Sequence, residues 1–117
     1  MQQLNRIELR GTVGSIRRNT VQGRLIAQLT VATNFAYKDT EGCSVLETTW
    51  HVVRAWEGKS ISKEVLESLE KGDRVSLVGR IRNQRYVAQD GEERYTCEVV
   101  ASAMSRIDPG ESLSLEM

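Results

Sequence analysis

The sequence predicts an all-β domain with one short helix: a five-stranded Greek-key barrel whose fourth and fifth strands extend into a hairpin arm. Three observations lead there. Most of the chain alternates apolar and polar residues, the period of a strand with one buried face. One stretch, SISKEVLESLEKGDR, switches to helical spacing and falls between the third and fourth strand runs. An Asp90-Gly91 pair flanked by alternating residues marks a tight hairpin.

Residues 4–13, LNRIELRGTV, open the fold. Ile7, Leu9, Gly11 and Val13 point one way, and Arg6, Glu8, Arg10 and Thr12 the other. Gly14 is expected to break this strand. NTVQGR is a turn candidate in which Gly23 takes a positive φ. Residues 25–34 form the second strand, with Leu25, Ala27, Leu29 and Val31 on one face, and KDTEG (38–42) is a polar loop. The third strand is 45–56. In the helix, Ile61, Val65, Leu66 and Leu69 share a face, Ser60 or Ser62 caps the start, and Lys71-Gly72 ends it after roughly two to three turns. Residues 74–82, RVSLVGRIR, form the fourth strand, with Val75, Leu77, Gly79 and Ile81 inward and Arg74, Ser76, Val78, Arg80 and Arg82 outward. The fifth runs from near Tyr95 to near Ile107. A two-residue turn at Asp90-Gly91 pairs Gln89 with Glu92 and Tyr86 with Tyr95. Pro109 and GESLSLEM then read as a short disordered tail, so that 1–107 is the domain and 108–117 the tail. A helix between the third and fourth of five strands is the order of an OB-fold, although a generic α+β domain fits the same elements.

Length and charge narrow the function classes. The 117 residues suit one domain. No apolar run approaches the ~18 residues of a membrane helix, and MQQLNR has no apolar signal core, so a cytoplasmic chain with no membrane partner is expected. Two cysteines without a CxxC spacing, and a single histidine, argue against zinc and against a disulfide scaffold; no metal or cofactor is expected. No phosphate-cradling glycine loop or nucleophile elbow is present, and no enzyme is expected. Net charge is zero, but the last ten residues hold three acids and no base, so residues 1–107 carry sixteen basic and thirteen acidic side chains. Attraction to a polyanion therefore has to come from local patches.

The stretch TTWHVVRAWEGKS supplies one. In a strand, Trp50, Val52, Arg54 and Trp56 share a face, and Val53 and Ala55 share the other with His51. The large rings thus lie with the arginine, and the small apolar residues lie behind them. Single-stranded nucleic acid exposes bases that stack on any flat ring, each stack contributing about 1–3 kcal/mol without regard to sequence. Phosphates between the bases call for Lys or Arg. The two tryptophans stand roughly 20 Å apart along the strand, a span for several nucleotides. Arg85-Tyr86 and Tyr37-Lys38 repeat the ring-plus-cation combination, and Arg80 and Arg82 face outward on the fourth strand. The long, regular first strand reads as an edge that pairs with its own copy, which places Arg6, Glu8 and Arg10 at a subunit interface.

These residues carry a resemblance. NRIELRGTVG, AQLTVATNFAYKD, ETTWHVVRAWEGK, LEKGDRVSLVGRIR and RYVAQDGEERYTCEVVA together resemble the bacterial single-stranded DNA-binding proteins of the OB-fold type, over residues 5–107. The resemblance implies sequence-independent binding of single-stranded DNA in replication, recombination or repair, by a cytoplasmic, nucleoid-associated homotetramer built from dimers. It implies base stacking at Tyr37, Trp50, Trp56 and Tyr86, phosphate contacts at Lys59, Lys71, Arg82 and Arg85, and a place near the subunit interface for His51. The chain departs from the family in three ways. Val52 stands where a basic residue often follows the Trp-His pair, with Arg54 on the same face. Tyr37 and Tyr86 stand where many relatives have tryptophan. The end, DPGESLSLEM, lacks the acidic tip with its Pro-Phe terminus, so tail-mediated protein partners are not among those implied. The alternative reading is a primosomal-type OB protein: a dimer that docks a helicase or its loader and binds single-stranded DNA modestly.

Overall fold

The computed structural model describes residues 2–108. The tail expected at 108–117 lies outside the described residues apart from Asp108. Along the chain come β1 (Ile7–Val21), β2 (Arg24–Lys38), β3 (Ser44–Trp56), α1 (Lys63–Ser68), β4 (Arg74–Val87) and β5 (Glu93–Ile107). The strands close into a barrel in the order β1-β2-β3-β5-β4. This is the OB-fold, and closure rules out the open α+β arrangement that the element order alone allows.

The alternation sorts the side chains as expected. Val13, Ala27, Leu29, Val31, Val53, Ala55, Val75 and Leu77 fill the interior, each 2% exposed or less. Leu66 and Leu69, both fully buried, seal one end. The helix, which holds Leu66 and ends just before Leu69, is shorter than its pattern suggests, with six residues. Ser62 caps it, accepting from the Val65 amide at 3.1 Å, and Leu69 already turns to extended backbone. That early exit brings the next turn against β1, where the Val13 amide donates to the Asp73 carbonyl and the Gly72 amide to the Val13 carbonyl, each at 2.8 Å. The helix has no basic residue in its last turn; Arg18 of β1 supplies the charge by donating to the carbonyls of Leu66 and Leu69.

Gly14 does not break β1. It is the extra residue of a β-bulge: Val13 pairs with Val31, and Ser15 with Thr30. A bulge bends its strand, and β1 uses the bend to pass from β4, paired over Ile7–Thr12, to β2, paired over Thr12–Val21. Only β4 flanks the first part of the strand. The edge expected there is therefore covered on one side, and on the other no described strand pairs with Ile7–Gly11.

Two expectations about the β4–β5 arm are corrected. Ile81 is 43% exposed rather than inward. The β1–β4 pairing ends at Gly79, so beyond that residue no strand covers the inner face. The hairpin register is also one residue off the expected one: Tyr86 pairs with Arg94, and Arg85 with Tyr95. The loop has three residues, not two. The Ala88 amide meets the Glu92 carbonyl at 2.9 Å, and Gly91 takes a φ of 84°. A type I turn followed by a left-handed glycine adds that third residue and reverses the face pairing.

The barrel closes between β3 and β5 on a short parallel seam, Val53 with Val99 and Arg54 with Val100. Beside it lies Glu98, which is 5% exposed. Arg54 Nε donates to one carboxylate oxygen at 2.7 Å, and Arg82 Nε to the other at 3.0 Å, with Arg82 Nη2 alongside. One carboxylate thus ties β3, β5 and β4 together. Burial favours the neutral acid, but the hydrogen bonds and charges of Arg82 and Arg54 outweigh it and hold the carboxyl below the usual carboxylate range. Both arginines are about a third exposed, so solvent screens part of the attraction. Glu98→Ala is expected to lower stability by about 2 kcal/mol in urea titrations at neutral pH. The native carboxyl titrates below its unfolded value, so this contribution is complete above pH about 4.5 and is lost as pH falls through the native pKa. The gap between wild type and Glu98→Ala should therefore close under acid.

Candidate nucleic-acid interface

The residues singled out in the sequence divide between the two surfaces of the sheet. On β3 the outward parity is as expected: Val53 and Ala55 are fully buried, and Trp50, Val52, Arg54 and Trp56 lie on the other side. Continuous β2–β3 pairing places Ala32, Thr30, Gln28 and Ile26 beside them in turn. Trp50 is 59% exposed. Its indole leans across Thr30 onto Gly14, where a Cβ would stand 2.3 Å from Cζ3 of the ring. The bulge glycine is the flat seat of this tryptophan. Trp56 is half-buried, and the guanidinium of Arg24 lies 5.2 Å from its ring centre, a cation–π contact.

Arg54 and Arg82 meet at Glu98, so the outward face continues from β3 across β5 to β4. Tyr86, Arg80 and Arg82 share that side of β4 by parity, and Tyr86 is 47% exposed. The structure thus brings Trp50, Arg54, Trp56, Arg80, Arg82 and Tyr86 onto one continuous face. Lys59 and Lys71 are exposed in the turns after β3 and α1. Arg85 lies on the opposite side of the arm with Tyr95 and forms an exposed ion pair with Glu93 at 3.5 Å. Tyr37 also departs. Five residues past Ala32 along an unbroken strand, it falls on the opposite parity to Trp50, beside Phe35 at 5.9 Å between ring centres.

Of the interface candidates, Arg6 and Glu8 are exposed and paired to each other at 2.9 Å, and Arg10 is exposed. His51 is half-buried, its Nε2 2.9 Å from the Thr33 hydroxyl, and burial holds its pKa below the ordinary value. Among the described residues no group of acidic, histidine or cysteine side chains is placed to hold a metal ion.

The sequence reading missed four residues of this face. Glu98 looks like one more solvent-facing acid in TCEVVA, and only barrel closure buries it. Gly14 reads as a strand breaker. Arg17 and Arg24 lie next to no aromatic in sequence; strand pairing sets Arg17 in a row with Gln28 and Arg54, and the Arg24 guanidinium lies over the Trp56 ring.

The closed barrel is an OB-fold, and its outward face sets flat rings between guanidiniums. Comparison with known proteins narrows the class. The model of the single-strand binding protein family matches residues 4–107, and the chain belongs to that family. It is 33% identical over 106 residues to the single-stranded DNA-binding protein of Xanthomonas campestris, covering 89% of this chain and 60% of that protein. It is 30% identical over 112 residues to single-stranded DNA-binding protein 1 of Chlorobaculum tepidum, covering 93% and 68%. The chain thus spans about 60% of the length of the first curated relatives it matches. Among solved structures, a Plasmodium falciparum SSB complex with ssDNA superposes with a TM-score of 0.77 at 22% identity, covering 92% of this chain and 98% of that one. A deletion mutant of the Thermus aquaticus single-stranded DNA binding protein superposes with a TM-score of 0.76 at 25% identity, covering 92% and 52%. The family assignment does not favour the primosomal-type alternative.

The seat of Trp50 yields a test. In Gly14→Ala the new methyl meets the far end of an exposed ring, which can swing away, so stability should change by less than about 1 kcal/mol. The ring loses its seat, and the expected result is an altered tryptophan emission spectrum with an unchanged melting profile.

Proposed function

We propose that this chain binds single-stranded DNA without sequence preference and acts in replication, recombination or repair as a cytoplasmic homotetramer built from dimers. The observation that carries the reading is the outward face itself. Trp50 and Tyr86 stand exposed on it, Trp56 lies half-exposed, and Arg54, Arg80 and Arg82 lie between and beside them. The relatives' names support the ligand. Bases stack on the rings, and the arginines, with Lys59 and Lys71, take the phosphates. Tyr37 and Arg85 join the path where the strand passes over the edge of an arm, since each lies on the reverse side. Binding and protection of a strand need no catalytic group, in keeping with a non-enzymatic family.

Assembly follows from the free flank of Ile7–Gly11. A second copy of the same segment satisfies its open backbone groups, with Arg6, Glu8 and Arg10 lining the contact and His51 near it.

Adding oligo(dT) should quench tryptophan fluorescence, and salt should reverse the quenching. No quenching at low salt would rule the reading out. Trp50→Ala and Trp56→Ala are each expected to weaken binding by about 1–3 kcal/mol while the melting temperature stays near wild type. Unfolding of either variant would show that its ring is core. Light scattering should give four times the 13.2 kDa chain mass, and Glu8→Pro should reduce that mass by removing a strand donor. An unchanged oligomer in Glu8→Pro would count against the β1 interface.

A further inference from the structure

Residues Ile7–Gly11 pair with β4 on one side and with no described strand on the other, because β2 joins β1 only from Thr12 onward. The direction of the backbone groups along this flank follows from one residue. The Val13 amide and carbonyl are both engaged on the β4 side, with Asp73 and Gly72. Backbone direction alternates along an antiparallel strand, so Ile7, Leu9 and Gly11 also turn their groups to β4. Glu8 and Arg10 turn theirs to the open side. The two residues whose amides and carbonyls await a partner are therefore an acid and a base. Both side chains are exposed on the outward face. Glu8 meets Arg6 at 2.9 Å, and Arg10 forms no hydrogen bond or ion pair among the described residues.

A second copy laid antiparallel against this flank has few registers open to it. Residues opposite each other share a face, so the two-fold axis passes through a residue and not between two. An axis at Glu8 sets the two Glu8 carboxylates against each other, and each Arg6 against Arg10 of the other copy. An axis at Arg10 opposes the two Arg10 guanidiniums. An axis at Gly11 needs Thr12 and Val13, whose flank β2 occupies. An axis at Ile7 draws on Leu4–Arg6, which precede the strand. Asn5 is already committed there: its side chain bonds both backbone groups of Ile81, at 2.7 and 2.9 Å. An axis at Leu9 pairs the whole of Ile7–Gly11 and sets each Glu8 opposite Arg10 of the other copy. It also makes Glu8 and Arg10 a hydrogen-bonded pair, as their backbone direction requires.

We propose that β1 is a self-recognition strand, resting on the assembly reading above: a second copy of this chain pairs with it in the register centred on Leu9, and the acid-then-base order of Glu8 and Arg10 selects both that register and that partner. Opposite charges facing each other across a strand pair stabilise it, and like charges destabilise it. The two-fold axis makes each such pair count twice. Glu8 then lies between two guanidiniums, Arg6 of its own strand and Arg10 of the second copy. A strand edge without this charge order leaves Glu8 and Arg10 facing no counter-charge.

The test is light scattering over a dilution series, with wild type, Glu8→Arg, Arg10→Glu, the double variant Glu8→Arg/Arg10→Glu, and an equimolar mixture of the two single variants. Each single variant turns two attractive pairs into repulsive ones and should associate about tenfold more weakly. Salt should narrow that gap. The double variant reverses the charge order and should recover most of the wild-type mass. In the mixture one copy presents two cations and the other two anions, so mixed assemblies should form at concentrations where neither variant assembles alone. Both substituted side chains are exposed, so far-ultraviolet circular dichroism of every variant should match wild type. Single variants that assemble like wild type overturn the register, as does a mixture or a double variant that stays dissociated. A monomeric wild type overturns the assembly reading itself, and the register with it.

Discussion

Closure of the barrel between β3 and β5 is the constraint on which the rest depends. Antiparallel hairpins join β1 to β2, β2 to β3 and β4 to β5, and each is secured by long ladders. The β3–β5 seam is parallel and joins segments far apart in sequence, with only two residue pairs to hold it. Glu98 strengthens this weakest join. As a buried carboxylate it is costly unless fully paired, and two guanidiniums from the two neighbouring strands pair it. The same contacts set the direction of Arg54 and Arg82. The interaction that closes the fold therefore also fixes two cations on the face read as the DNA path.

That face is a by-product of how a small barrel is filled. The interior accepts Val53 and Ala55 from β3 and has no room for indoles, so alternation sends Trp50 and Trp56 outward. Two local devices then keep the rings in place. Gly14, freed from the ladder by its bulge, lets the Trp50 ring rest on backbone, and Arg24 stacks on Trp56. Neither device buries its ring completely. The cost of leaving apolar surface in water is thereby kept for a ligand to recover.

Strand identity, face parity and the helix position were legible in the sequence because they depend on local period. The outward placement of Trp50, Arg54 and Trp56 follows from the same rule. What was not legible depends on pairing between distant strands. Ile81 alternates correctly with Leu77 and Gly79, yet is exposed because β1 ends its pairing at Gly79. Glu98 alternates like a surface acid and is buried by the seam. Asp90-Gly91 signalled a hairpin, but its loop length turned on a left-handed Gly91, and one added residue moved Tyr95 to the side opposite Tyr86. The side taken by Tyr37 was legible too: its parity along β2, available from the sequence, sets it on the face opposite Trp50, beside Phe35.

A chain of zero net charge can still attract a polyanion, and the ion pairs show how. Several acids are engaged internally: Glu98 with Arg54 and Arg82 on the outward face, Glu93 with Arg85 on the reverse side of the arm, and Asp90 with Arg94 at its turn. These pairs are not equivalent. Arg85–Glu93 is exposed and 3.5 Å long, a contact of little net worth that a phosphate can replace. Arg54 and Arg82 cannot leave Glu98 without stranding a buried charge, so they meet a strand in fixed orientation and with half their charge already balanced. Arg17 and Arg80 have no such partner among the described residues and offer full charges. In the proposed DNA reading, the fixed guanidiniums define where the strand passes, and the free ones set most of the salt dependence. That division explains how attraction is concentrated on one face while the chain as a whole stays neutral.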